Sequence, residues 1–221
     1  MSVYINKYRH FYTMSQNLTV NEKILSFIQS TGMARLSEIK KLGIHPEYIR
    51  RLWKLGKLIK LSRGIYTTSE YDPTEHHSIA EVCKQAPNVI LCLLSALVFH
   101  DLTTQMPHEI WIAIDNKARK PKIESPPIRV LRFSGRSLNE GVEEHIIQGC
   151  VVKVYNPAKT VADCFKYQNK IGLDVALEAL HDTLRQKKAT YNEILHYAKI
   201  CRVEKIITPY LESIAWKKSE H

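Results

Sequence analysis

The 221-residue chain has no apolar run long enough to cross a membrane. Its longest, Val89 to Phe99, is broken by Ser95, and a spanning helix needs about 20 apolar residues in succession. The N-terminus has no apolar stretch followed by a small-residue cleavage site, which argues against secretion. No two cysteines form a C-x-x-C pair: Cys83, Cys92, Cys150, Cys164 and Cys201 are dispersed. An odd, scattered set in a chain without a signal peptide reads as reduced thiols in the cytoplasm. Cys92, inside Val-Ile-Leu-Cys-Leu-Leu, reads as a small core residue. Zinc wants paired ligands at short spacing, and adjacent His76 and His77 diverge on any regular element, so neither a structural metal nor a cofactor is expected. There is also no G-x-S-x-G, no phosphate-binding loop, no G-x-G-x-x-G and no H-E-x-x-H, which removes the commonest enzyme signatures. With 8 glycines, 9 prolines, 44% hydrophobic and 24% charged residues, the composition is globular, neither collagen-like nor disordered.

What is present is charge, unevenly spread. Residues 1–70 carry 12 Lys and Arg against four acids, Glu22, Glu38, Glu47 and Glu70; residues 71–221 carry 20 against 18. The excess of +10 is mostly N-terminal, and a small basic module on a near-neutral body points to a polyanion, most often nucleic acid.

The pattern inside the module sharpens that. Thr19-Val-Asn-Glu22 is a capping box ahead of Ile24, Leu25, Phe27 and Ile28, so a helix starts near Val20 and ends before Gly32. Leu36, Ile39 and Leu42 give a second, short helix that stops at Gly43. His45-Pro46 opens a third, with proline at the first position, and Gly56 closes it. This is helix-turn-helix order. On the third helix, at ~100° per residue, Ile49, Leu52, Trp53, Tyr48 and Leu55 form a packing side, while Arg50, Arg51, Lys54 and Glu47 gather opposite. A recognition helix needs such a division, one side buried and the other free to enter a major groove. Leu58–Leu61 and Ile65–Thr67 then flank Ser62-Arg63-Gly64, a tight-turn composition, and a hairpin directly after the third helix is the wing of a winged helix. The candidate DNA-binding residues are His45, Glu47, Tyr48, Arg50, Arg51, Lys54, Lys57 and Arg63. Arg63 stands at the wing tip, Tyr48 and His45 are placed to reach bases, and Glu47 is read as balancing charge.

The resulting plan is α+β. Residues 1–16 form a leader, either translated ahead of Met14 or packed on the body through Tyr4, Tyr8, Phe11 and Tyr12. A winged helix-turn-helix domain spans 17–68 and a polar linker 69–77. A larger mixed α+β domain, 78–221, ends in a helical tail. In it, Ser78–Gln85 reads as a helix, Val89–Leu94 as a buried strand and Ser95–His100 as a helix. Ile110–Ile114, Ile128–Phe133, Ile146–Ile147 and Val151–Tyr155 read as strands. Helices follow from Asn156-Pro157 to about Tyr167, along Leu173 to Leu184, over Tyr191–Ile200 and over Val203–Ala215.

Two features of that domain suggest chemistry. Asp101 and Asp115-Asn-Lys117 resemble the acids and lysine of a metal-dependent nuclease, the alternative to a non-enzymatic reading. Chance produces D-x-K in most chains of this size, and a polar strand end explains it as well. Thr160 and Asp163 share a helix face, either an active edge or side chains bonded to neighbouring backbone. A second basic run, Lys117, Arg119, Lys120, Lys122, Arg129, Arg132 and Arg136 against Glu124, is either a solvated loop or more of a DNA footprint.

A set of motifs in fixed order, Arg63-Gly-Ile-Tyr66, Leu94-Ser-Ala-Leu97-Val-Phe-His100, Glu109-Ile-Trp-Ile-Ala-Ile114, Tyr155-Asn-Pro-Ala-Lys-Thr160-Val-Ala-Asp163 and Asp174-Val-Ala-Leu-Glu-Ala-Leu180, resembles the AbiEi family over about residues 20–215. These are bacterial antitoxins and transcriptional regulators of type IV (abortive-infection) toxin–antitoxin modules. The resemblance implies that the winged helix represses its own operon by binding inverted repeats in double-stranded DNA. It further implies that the C-terminal domain counteracts a nucleotidyltransferase-like toxin without a tight complex. His100, Thr160 and Asp163 are the candidate residues of that antitoxin domain. One departure is Asp101, where the family pattern has glycine after the histidine, which puts the local geometry there in question.

Overall fold

A computed structural model of the chain describes residues 18–70 and 76–219. The expected leader, 1–16, and residues 71–75 of the expected linker lie outside the described residues. The chain is mixed α+β and divides into two compact units. One takes the described residues up to Ala80 together with Ile146–Cys150; the other takes Glu81–His145 and everything from Val151 onward.

In the first unit, α1 (Val20–Thr31), α2 (Leu36–Lys41) and α3 (Pro46–Lys54) surround a small sheet of β1 (Ala34–Arg35), β2 (Leu58–Ser62) and β3 (Ile65–Thr68), in the order β1-β3-β2. Local chemistry sets the ends. The Glu22 N–H donates to Thr19 Oγ1 and the Thr19 N–H to Glu22 Oε2 (2.8 Å), satisfying two donors that the helix leaves open. Pro46 occupies the first position of α3, and His45 Nδ1 accepts the Glu47 N–H at 3.3 Å. β2 and β3 are antiparallel about Arg63-Gly64, where Gly64 sits at φ 76°, a backbone conformation that costs a Cβ-bearing residue about 1–2 kcal/mol. The core is dry: Ile24, Phe27, Ile28, Ile39, Ile49, Leu52 and Leu58 are all buried.

The short strand β1 was not anticipated. The wheel also overestimated how much of α3 packs: Ile49 and Leu52 are buried, whereas Trp53 is 44% exposed, Leu55 70% and Tyr48 37%. A nine-residue helix with neighbours on one side hides a narrow arc only, and Leu55 lies past its last turn as the C-cap.

In the second unit, helix α4 (His77–Gln85), which begins in the first, leads to a five-stranded sheet of order β6-β5-β4-β8-β7. Its strands are β4 (Ile90–Leu91), β5 (Ile110–Asp115), β6 (Ile128–Phe133), β7 (Val142–Ile147) and β8 (Cys150–Tyr155). The expected strand Val89–Leu94 shrinks to two residues, because the chain turns at Leu93 (φ 46°) and Leu93 and Leu94 open helix α5 (Leu93–Phe99). A wholly apolar run does not by itself tell strand from buried helix. β5 and β6 run parallel without a helical crossover. Instead Arg132 Nη1 gathers the loop between them, donating to the carbonyls of Asn116 (2.7 Å), Ala118 (2.9 Å) and Asp115 (3.3 Å). After β6 come α6 (Arg136–Asn139), then β7 and β8. The helical remainder is α7 (Pro157–Lys166), α8 (Gln168–Ile171), α9 (Leu173–Arg185), α10 (Tyr191–Cys201) and α11 (Glu204–Ser219). Helix α7 is the hub, packed on α5, α9, α10 and α11. The β7–β8 turn Gln148-Gly149 belongs with the first unit, where Cys150 and Ile147 join Met33, Ile65 and Ala80 in an apolar cluster.

Among the described residues no helix is long and apolar enough to cross a membrane. All five cysteines are buried and none is in a disulfide.

Candidate functional site

All eight DNA-binding candidates of the first unit, His45, Glu47, Tyr48, Arg50, Arg51, Lys54, Lys57 and Arg63, are exposed. They divide by task. His45 is committed through Nδ1 to capping α3. Glu47 Oε1 stands 4.0 Å from Arg51 Nε, one turn on, an exposed pair of the kind that contributes only a few tenths of a kcal/mol. Arg50 and Lys54 share the outward face of α3 with that pair, and Arg63 crowns the β2–β3 turn. Sequence reasoning missed Trp53 as a surface residue and did not single out Lys60, whose Nζ lies 5.8 Å from the centre of the Trp53 ring. The visible signal was the position of Trp53 on the wheel, at the border between the apolar and cationic sides.

Two of the three candidates of the second unit, His100 and Thr160, meet at one backbone atom, the carbonyl oxygen of Tyr155 at the end of β8. His100 Nε2 lies 2.8 Å from it and Thr160 Oγ1 donates to it at 3.0 Å. Thr160 is therefore fully buried and bonded to backbone, as is usual for a hydroxyl near a helix N-terminus. Asp163 is also fully buried, with Lys159 Nζ 2.5 Å from Oδ2 and Cys201 Sγ donating to Oδ1 at 3.2 Å. Lys159, equally buried, lies with its Nζ 4.1 Å from the Tyr155 ring centre and 5.0 Å from that of Phe133. Burial pushes the Asp163 carboxyl above its ordinary range, with the Lys159 ammonium and the Cys201 thiol pulling the other way. The Cys201 thiol itself is pushed up to about 12, chiefly by burial, so it stays a donor. Lys159 stood inside a quoted motif but was not named as a candidate. Its four-residue spacing from Asp163, amid alanines and valine, was the available clue.

The acids of the nuclease alternative are engaged locally. Asp115 Oδ1 accepts the Lys117 N–H at 2.8 Å, forming the turn after β5. Asp101 has φ 52°, its carbonyl accepts from Gln186 Nε2 at 3.0 Å, and its carboxylate is 3.8 Å from Lys188 Nζ, which also donates to the His100 carbonyl. Of the second basic run, Arg129 pairs with Glu109 (2.7 Å) over the Trp111 ring, Arg136 pairs with Glu140 (2.5 Å), and Arg132 holds its loop. Lys117, Arg119, Lys120 and Lys122 are exposed on that loop, apart from the half-buried Pro121 between them.

Comparison with known families bears on the basic, helix-presenting module. Residues 22–68 match the family described as transcriptional regulator, AbiEi antitoxin. The matched stretch runs from the first turn of α1 to the end of β3, and it supports the AbiEi-type antitoxin regulator that the ordered sequence motifs resemble. No curated protein matches the chain.

Proposed function

We propose that the first unit is a winged helix-turn-helix that reads operator DNA, with α3 in the major groove and the β2–β3 turn on the adjacent backbone. The observation that carries this is the division of α3: Ile49 and Leu52 are sealed in the core while Arg50, Arg51 and Lys54 stand exposed on the outer face, with Arg63 presented by the neighbouring hairpin. Arginines on an open helix face suit guanine edges and phosphates alike. The family match on the same residues supports a transcriptional regulator, and in this reading its target is its own operon. In this reading the second unit is the antitoxin part, counteracting a nucleotidyltransferase-like toxin by effect and not by tight binding, and the protein is a non-enzymatic regulator of the cytoplasm. The sealed Thr160 and Asp163 serve the architecture of that part rather than an open catalytic edge.

The test is fluorescence anisotropy of the full chain on its own upstream duplex and on a scrambled duplex, at two salt concentrations. Tight, selective binding to the upstream duplex is expected, with log affinity falling by about 0.9 per neutralised phosphate per log unit of salt. Arg50→Ala and Arg51→Ala should each cost about 1–3 kcal/mol of selectivity if they read bases. Equal, weak binding of both duplexes overturns the repressor reading. For the second unit, the Arg50→Ala/Arg51→Ala double variant should still protect cells from the co-encoded toxin, and failure to protect would tie antitoxin action to DNA binding instead.

A further inference from the structure

Trp53 is on the module's surface, 44% exposed, with the ammonium of Lys60 5.8 Å from its ring centre. Among the described residues no side chain or carbonyl accepts its indole N–H. Large exposed aromatic rings, with an apolar face and a polar N–H, concentrate where a partner covers them. The surroundings say which partner. Trp53 follows Arg50 by three residues and adjoins Lys54; Lys57 begins the turn into β2, and Lys60 lies on that strand. The one carboxylate of α3, Glu47, is beside Arg51 on the other flank. An exposed ring approached by Lys60, with Arg50, Lys54 and Lys57 nearby along the chain, would repel the same face of a second copy and attracts a polyanion.

We propose that Trp53 and Lys60 form a sugar–phosphate clamp, gripping the DNA backbone between the groove entered by α3 and the segment reached by Arg63. The proposal rests on the reading of the first unit as a DNA binder and deepens it. The indole face covers a deoxyribose, its N–H donates to a phosphate oxygen, and Lys60 neutralises that phosphate. A contact of this kind positions the protein and raises affinity for any sequence without reading bases.

The experiment uses the full chain and the same two duplexes. Trp53→Ala should weaken binding to both by a similar factor, about tenfold, leaving their ratio unchanged, while Trp53→Phe, which keeps the ring, retains most of the affinity. Lys60→Ala should flatten the salt slope by about 0.9, the value for one phosphate. A Trp111→Phe/Trp216→Phe chain, in which Trp53 is the remaining indole, should change its emission when either duplex is added. If Trp53→Ala and Lys60→Ala bind like the parent while Arg51→Ala is weakened, the DNA-binding reading stands and the clamp falls. If the parent binds neither duplex, the reading itself falls and takes the clamp with it. A Trp53→Ala chain that loses selectivity would make Trp53 a base reader, and one that turns a dimer into a monomer in sedimentation would assign this face to a second copy; either overturns the clamp.

Discussion

The two units handle charge in opposite ways. The first keeps an apolar core around Ile24, Ile28, Ile49 and Leu52 and exposes the cations Arg50, Arg51, Lys54, Lys57 and Arg63. The second drives Lys159 and Asp163 to complete burial at the centre of its helical hub. An exposed cation contributes little to folding and is free for a partner, whereas a buried pair contributes a partner-dependent stability and is unavailable to anything outside. The contrast thus separates a module whose charged candidates lie on its surface from a helical hub that encloses a charged pair.

The largest expected effect breaks that contact. Removing one member of a buried ion pair typically costs about 3–5 kcal/mol, because the other charge stays behind uncompensated. Lys159→Met should lower the urea-unfolding free energy by that order. Lys54→Ala, on the open face of α3, should leave it within about 0.5 kcal/mol. The pH dependence supplies the sign. Burial already raises the Asp163 carboxyl, and without Lys159 it rises further. A raised acid favours the folded state while protonated, so the deficit of Lys159→Met should be greatest near neutral pH and shrink as pH falls through the new value. Adding Asp163→Leu should recover most of the loss. If single and double variants are equally destabilised, the pair acts through shape rather than charge, and the comparison between the units fails.

The same comparison explains what the sequence made legible. In the first unit, caps, a proline at a helix start and glycines at turns act within a few residues, so α1, α2, α3 and the hairpin could be placed from local chemistry. The exposure of Trp53 could not, since it depends on which neighbours the short helix meets. In the second unit the strands β5, β6 and β8 and the cap at Asn156 were readable. The extent of β4 was not, because Val89–Leu94 is apolar throughout and a tertiary choice converts its end into α5. The buried pair was hardest: Thr160 and Asp163 were visible as a face, but the partner that neutralises Asp163 is Lys159, and lysine is almost never fully buried unless paired.

A second expected effect is intermediate in size and belongs to the second unit alone. Burial holds the His100 imidazolium below its ordinary pKa, while the Tyr155 carbonyl and Glu143 pull upward and His145 and Lys188 add to the depression. A depressed group stabilises the fold above the unfolded value of ~6.5, and that stability is lost as pH falls toward the folded value, by at most about 1.4 kcal/mol per pH unit. Unfolding midpoints measured between pH 7.5 and 5 should therefore fall more steeply for the parent than for His100→Gln, whose amide can still donate to the Tyr155 carbonyl. Parallel curves would show that His100 protonates in place without penalty.

The smallest expected effect concerns Asp101, which stands at φ 52°. The geometry requires a left-handed residue there: the Asp101 carbonyl must turn to accept from Gln186 while the preceding carbonyl accepts from Lys188. Aspartate tolerates that conformation better than most residues, at a cost of no more than about 1–2 kcal/mol. Asp101→Gly removes the strain but frees the unfolded chain, an opposing effect of about 0.5–1 kcal/mol, and gives up an exposed pairing with Lys188 at 3.8 Å that contributes little. The net change in unfolding free energy should therefore stay within about 1 kcal/mol. Asp101→Val, β-branched at positive φ, should instead destabilise by about 2 kcal/mol. If Asp101→Gly proved as damaging as Asp101→Val, the carboxylate and not the backbone would be holding this corner, and a surface charge of the second unit would matter to its stability as the buried one does.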